Sequence, residues 1–293
     1  MAAPLQLAVA KTLAYSRHFG LPLTPEKLHL WLISPRPISL TRLRPYFPKL
    51  TAPNRQLIEE RHLYSQKKLL TARRIARLLG LFPTIKLICA TGSLAVDNAQ
   101  QYDDLDIMVV TSADTLWLTR PLVIFFLKIL RLRRPTSLPE HQSPRVSDKV
   151  CDNLWLDETA LALPGNKRNL YTAHEVLQAR PLFDRGNTHA RFISANPWTK
   201  NYLANAYLSK VLPGTVAQAN RLSAVPIPKS ARSNSSQVEP LIPPRWNFLS
   251  LLNSLAFKLQ YHYMKKKITR ETITLHSAYF HPNDYYGLMK TDG

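Results

Sequence analysis

A chain of 293 residues is long enough for about two domains with their own cores. With 45% hydrophobic and 20% charged residues the composition is globular, which excludes a disordered or fibrous chain. The balance of 39 Lys+Arg against 19 Asp+Glu gives a formal net charge of +20, which favours polyanionic partners: nucleic acid, nucleotides or an anionic membrane face.

Cys89 and Cys151 are the only two cysteines and sit in apolar runs at 85–90 and 150–156. Two thiols without nearby histidine spacing make neither a disulfide framework nor a zinc motif, so both read as core thiols in a reducing compartment. The opening MAAPLQLAVAKTLAYSRHFG lacks the basic–apolar–small order of a secretory signal. The most apolar run, 121–127, is too short to span a bilayer. The expectation is a soluble, cytoplasmic protein.

In chain order, Leu7, Ala10, Leu13 and Ala14 recur at helical spacing. Thr24-Pro25 starts a second helix over 26–33, with Thr24 as N-cap. A short third helix opens at Ile38-Ser39-Leu40 and is ended by the prolines at 48–53. Three short helices with tight turns fit a winged-helix-like unit over 1–54, or equally a helical cap on the main domain. Residues 55–79 read as one long amphipathic helix. Leu69, Ala72, Ile75, Ala76 and Leu79 form its apolar face, Lys67, Lys68, Arg73, Arg74 and Arg77 cover much of the rest, and Gly80 is its C-cap. A buried strand is predicted at 85–90, then a Gly92-Ser93 turn, a second strand at 105–111, and a helix at 116–132 with Pro121 inside. A polar loop follows at 135–149, and a third strand at 150–156. Thr172 to Glu175 is predicted to form a capping box for a helix ending near Ala179, with another helix at 199–211. A Pro/Ser-rich insert is expected at about 222–245, before an apolar helix at 246–263.

Chemistry concentrates between Thr91 and Val110. Asp104 and Asp106 stand two apart at the head of a strand, so both carboxylates point to one face while Leu105 and Ile107 enter the core. A hard divalent cation resolves the repulsion between such a pair. Gly92-Ser93 lies where a strand turns into a helix, where glycine lets a phosphate approach the backbone. A phosphate grip beside a carboxylate pair is equipment for phosphoryl or nucleotidyl transfer.

Gly92-Ser93 followed by Asp104-Leu105-Asp106-Ile107 resembles the signature of the DNA polymerase β-like nucleotidyltransferase superfamily, over roughly residues 69–163. The whole arrangement is also similar to uncharacterised prokaryotic nucleotidyltransferase-domain proteins with a winged-helix-like N-terminal unit. The resemblance implies an α+β chain: the N-terminal unit over 1–54, a small mixed-sheet nucleotidyltransferase domain over 55–165, and a helical C-terminal region over 166–293. It implies that Gly92 and Ser93 hold the triphosphate of an NTP, ATP among them, and that Asp104 and Asp106 bind Mg²⁺ or Mn²⁺. A third carboxylate is expected from the next strand. Asp152, expected to share a face with Leu154 and Leu156, and Asp157, at the far end beside Glu158, both fit. The implied reaction transfers a nucleoside monophosphate to a hydroxyl of RNA, a protein or a small molecule. The rival readings are a non-enzymatic nucleic-acid-binding or regulatory protein with a degenerate transferase domain, and an adaptor that uses the apolar helix at 246–263.

Overall fold

The computed structural model describes residues 2–49, 55–135, 144–212, 248–266, 268 and 271–280. The insert expected at 222–245 lies outside these residues, as do 50–54, 136–143, Trp246, Lys267 and His281. Within them the chain is α+β, built on one six-stranded mixed sheet.

The N-terminal unit comprises α1 (Ala2–His18), α2 (Pro25–Leu30), α3 (Leu40–Leu43) and a 3₁₀ turn (Arg44–Lys49). Thr24 caps α2 through a bond from the Lys27 N–H, and Pro25 occupies the first turn, where no donor is lost. The helix ends at Leu30 because Trp31 turns down to pack beneath the sheet. Val9, Leu23, Leu28, Leu32 and Leu43 close a small core. Among described residues 2–49 no strand pairs within the unit, which is helical there. The unit is stapled to the rest by Asn205, whose amide bonds Ile38 and the His29 carbonyl, and by the Ser34–Leu203 bridge.

Next come α4 (Arg55–Leu79), β1 (Ile85–Ala90), α5 (Gly92–Ala95), β2 (Leu105–Thr111), α6 (Leu116–Ile129) and β3 (Val150–Asp157). The expected stripe Leu69, Ala72, Ile75, Ala76 and Leu79 is buried on the sheet. Gly80 does not end α4 in a left-handed turn. Its missing Cβ is needed because the Phe183 ring would lie 2.5 Å from it. The chain then runs through α7 (Leu170–Gln178), β4 (Arg180–Asp184), α8 (Thr188–Ser194), α9 (Ala204–Val211), α10 (Phe248–Met264), β5 (Thr272–Ile273) and β6 (Ser277–Tyr279). The α7 capping box starts three residues before the expected one: Asn169 accepts from Thr172, and Thr172 returns the bond. The helix expected at 199–211 starts only at Ala204, after a 3₁₀ turn over Pro197–Asn201.

The strand order is β4-β1-β2-β3-β6-β5. β1 and β2 are antiparallel, β2 and β3 parallel, and the remaining pairs antiparallel. β4, β5 and β6 have no counterpart in the sequence reading. β4 carries Pro181, tolerable because β4 is an edge strand. α4, α6 and α10 cover one face of the sheet through Leu105, Ile107, Val109 and Trp155. Met108, Val110 and Leu156 face α7, α8 and α9 on the other.

Two irregularities matter. Between Asp106 and Met108 the ladder to β3 takes in an extra residue, because Cys151 pairs with Asp106 while Leu154 pairs with Met108. The second is α10, which buries Asn253 and packs Phe257 on Trp117 while Phe248, Leu251, Leu255 and Leu259 point outward. Asn253 and Gln260 both bond the backbone of Trp117. No helix among the described residues is long and apolar enough to cross a membrane.

Candidate functional site

The ends of β1 and β2 bring the predicted motif together. The Thr91 N–H donates to the Asp106 carbonyl, so the turn after β1 is fastened to the head of β2. Gly92 sits at φ +60, and a Cβ there would lie 2.8 Å from Asp106 Oδ2. Only glycine combines a left-handed backbone with this close carboxylate. The turn is held by Asp103. Its Oδ2 accepts from the Ser93 hydroxyl (3.0 Å) and the Gln100 N–H (2.9 Å). Lys68, buried in α4, donates to the Asp103 carbonyl at 2.7 Å and reaches Asp148 at 3.0 Å. Asp103 is thus the anchor of the Gly-Ser turn.

Asp104 is buried and ion-paired with Arg134 at 2.7 Å. Asp106 accepts a short bond from the Asn153 side chain. Its carboxyl is pushed well above the usual range by burial, by the charge of Asp104 and by that of Glu175 on α7, with Arg134 opposing. Burial raises Glu175 itself from 4.5 to about 7. Cys151 completes the cluster: one ligand atom each from Asp104, Asp106 and Cys151 lie within 4.8 Å of one another. Its thiol is pushed far upward, first by burial and then by these two carboxylates.

Asp152 does not share a face with Leu154 and Leu156, as regular alternation would require. The extra residue in β3 reverses the alternation upstream of Leu154, so Asp152 joins Val150 and Trp155 on the opposite face. There it takes the Arg133 guanidinium at 2.8 Å and the Trp155 indole N–H at 3.2 Å. Cys151 and Asn153 face Asp106 in its stead. Asp157 pairs with Thr111, five residues along β2 from Asp106 and so roughly 16 Å away. It is fully buried, and its oxygens are occupied by the Asp114 and Thr159 N–H groups, the Thr159 hydroxyl and His276. The structure therefore gathers Gly92, Ser93, Asp104 and Asp106, and leaves Asp152 and Asp157 elsewhere.

Cys89 is a core thiol as expected, whereas Cys151 is half-buried beside the acids. Arg134, Asn153 and Glu175 escape a reading of the sequence as site residues. Arg134 and Glu175 come from a loop and a distant helix, and no spacing in the chain connects them to the motif. Asn153 could be noticed only by allowing a bulge. No protein-family model, curated protein or solved structure matches the chain.

Proposed function

We propose that the protein is a divalent-cation-dependent nucleotidyltransferase that moves a nucleoside monophosphate from an NTP to a hydroxyl acceptor. The observation that carries this reading is the contact of Gly92 with Asp106: the point where a phosphate can approach the backbone is also the point where two carboxylates converge. The mixed sheet, with its antiparallel β1–β2 and parallel β2–β3 pairs, is compatible with the small mixed sheet that the resemblance implies.

The donor set fits a cation. Asp104 and Asp106 offer oxygen ligands that converge, with Arg134 as the ion-pair partner of Asp104. Asp104 and Asp106 would hold the metal, whose chemistry is to neutralise charge on the triphosphate oxygens. Gly92 lets the Asp106 carboxylate close against the turn, and Ser93 fixes the turn through Asp103. In the transfer, the acceptor oxygen bonds to the α-phosphorus, the bond from that phosphorus to the bridging oxygen breaks, and pyrophosphate leaves. Besides Asp104 and Asp103, the carboxylate whose charge acts on Asp106 is Glu175 rather than Asp152. The hydroxyl proton is released to solvent. The net charge of +20 favours a nucleic-acid acceptor.

One observation favours a second reading, nucleotide or nucleic-acid binding without turnover. The third strand presents Cys151 and Asn153, neither of them a carboxylate, beside Asp106 where a third carboxylate would stand. The experiment is label transfer from α-phosphate-labelled NTPs, with Mg²⁺ or Mn²⁺, to RNA, to protein and to the protein itself, beside an Asp104→Asn/Asp106→Asn variant. Transfer that disappears in the variant supports the enzyme. NTP binding without transfer supports the second reading, and loss of both removes the nucleotide from the account.

A further inference from the structure

The cation pair is accompanied by a soft ligand. The parallel ladder sets Cys151 directly opposite Asp106. Its Sγ and one oxygen each of Asp104 and Asp106 lie within 4.8 Å of one another. Donors on a tetrahedral metal at about 2.0–2.3 Å are separated by less than that, so small side-chain rotations suffice to close the set. The thiol is also aimed. Sγ donates to Asn153 Oδ1 at 2.8 Å, and the amide of the same Asn153 donates to Asp106 Oδ1. The second Asp106 oxygen, Oδ2, turns toward Gly92. One neutral side chain thus fixes sulfur and carboxylate side by side without contributing charge.

The bulge in β3 makes this arrangement. In an unbroken ladder, counting back from Met108–Leu154, Asp152 would stand opposite Asp106 and three carboxylates would face one hard cation. The extra residue puts a thiol there instead. Magnesium takes oxygen ligands and has little use for sulfur, whereas zinc, cobalt and other borderline metals favour it.

We infer that Asp104, Asp106 and Cys151 form a mixed oxygen–sulfur site selecting a thiophilic divalent metal of the zinc class over magnesium, with a fourth position open to a phosphate oxygen. This rests on the reading of Asp104 and Asp106 as a cation pair. On binding, the thiol proton is released to solvent and the sulfur bonds to the metal as thiolate.

The test is spectroscopic and uses the full chain, with Co²⁺ as probe. Wild type should develop a near-ultraviolet sulfur-to-cobalt charge-transfer band that Zn²⁺ removes by displacement. The band should persist in Cys89→Ser, whose thiol is buried in the core, and vanish in Cys151→Ser. Zn²⁺ affinity in Cys151→Ser should fall by more than the roughly 10–100-fold typical of losing an outer-shell partner. Mn²⁺ binding, read from the free-ion paramagnetic resonance signal, should survive Cys151→Ser and be lost in Asp104→Asn/Asp106→Asn. Co²⁺ bound by wild type without a charge-transfer band overturns the thiolate ligand while sparing the cation pair. A band that Cys151→Ser leaves intact has the same consequence. If wild type binds neither Co²⁺ nor Mn²⁺, the cation pair falls and the thiolate site falls with it. The wild-type and Cys89→Ser spectra decide between these outcomes even if Cys151→Ser is poorly folded.

Discussion

His174 and Glu175 are neighbours on α7, and burial acts on them in opposite senses. It lowers His174 from 6.5 to about 3 and raises Glu175 from 4.5 to about 7. Between pH 4.5 and about 7 the folded protein keeps a proton on Glu175 that the unfolded chain has released, so this residue makes stability fall as pH rises. Between 6.5 and about 3 the unfolded chain protonates His174 while the fold refuses the proton, so His174 makes stability fall as pH drops. In wild type the two slopes oppose each other over pH 4.5–6.5. Glu175→Gln should remove one of them. Denaturant titrations should find the variant more stable than wild type above pH 7, by at most about 3 kcal/mol. It should also be more steeply destabilised by acid below pH 6.5. An unchanged pH profile would mean that Glu175 is solvated in the fold. Arg134 gives a second residue-scale test. Removing one partner of a buried ion pair costs about 3–5 kcal/mol. Arg134→Met should therefore melt lower than wild type, and because Asp104 then lacks its cation, added Mn²⁺ should restore more stability in the variant than in wild type.

At the scale of elements, the junction of β1, α5 and β2 carries the site, and Gly92 is its tightest point. Gly92→Ala places a methyl 2.8 Å from Asp106 Oδ2 on a left-handed backbone. It should destabilise by about 1–3 kcal/mol and weaken cation binding together with folding. Thermal melting with and without metal reads both effects, whereas unaltered metal affinity would separate the turn from the carboxylates. This junction is legible in the sequence because its signals are local. Apolar runs on both sides define β1 and β2, alternation places Asp104 and Asp106 on one face, and the period of Leu69 to Leu79 gives α4. β3 is legible as a strand, but the direction of its side chains is not. One inserted residue reverses the parity of everything upstream of Leu154, and no residue there marks the bulge as a glycine would have. For that reason alternation sets Asp152 beside Asp106 when Cys151 is there. β4 escapes notice because Pro181 speaks against a strand, and β5 and β6 because two or three residues carry no periodicity. The α7 cap is displaced because Asn169, not Thr172, leads the pair, and both types can serve.

At the scale of the molecule, +20 of charge and a set of outward leucines coexist. α10 is apolar on both sides, with Ala256, Phe257 and Met264 packed inward on the core. Its inner side spends Asn253 and Gln260 on hydrogen bonds to Trp117, while Phe248 at 74% exposure and Leu259 at 67% face away from the sheet. Leu122, Phe125 and Ile129 do the same on α6. Neither helix contains an aspartate or glutamate, so within each the ionised side chains are cationic. Colloidally, this predicts an unusual response to salt. At low ionic strength the like charges of two copies repel over about 30 Å. At 1 M salt that reach shrinks to about 3 Å, while apolar attraction is undiminished. Light scattering should therefore report a mass that grows as NaCl is added, where a protein associating through charge would dissociate. Leu255→Glu/Leu259→Glu should abolish the growth, and a wild-type mass indifferent to salt would show that these leucines are not available for contact. In practice, the high-salt wash used to strip nucleic acid from a basic protein would here drive it out of solution.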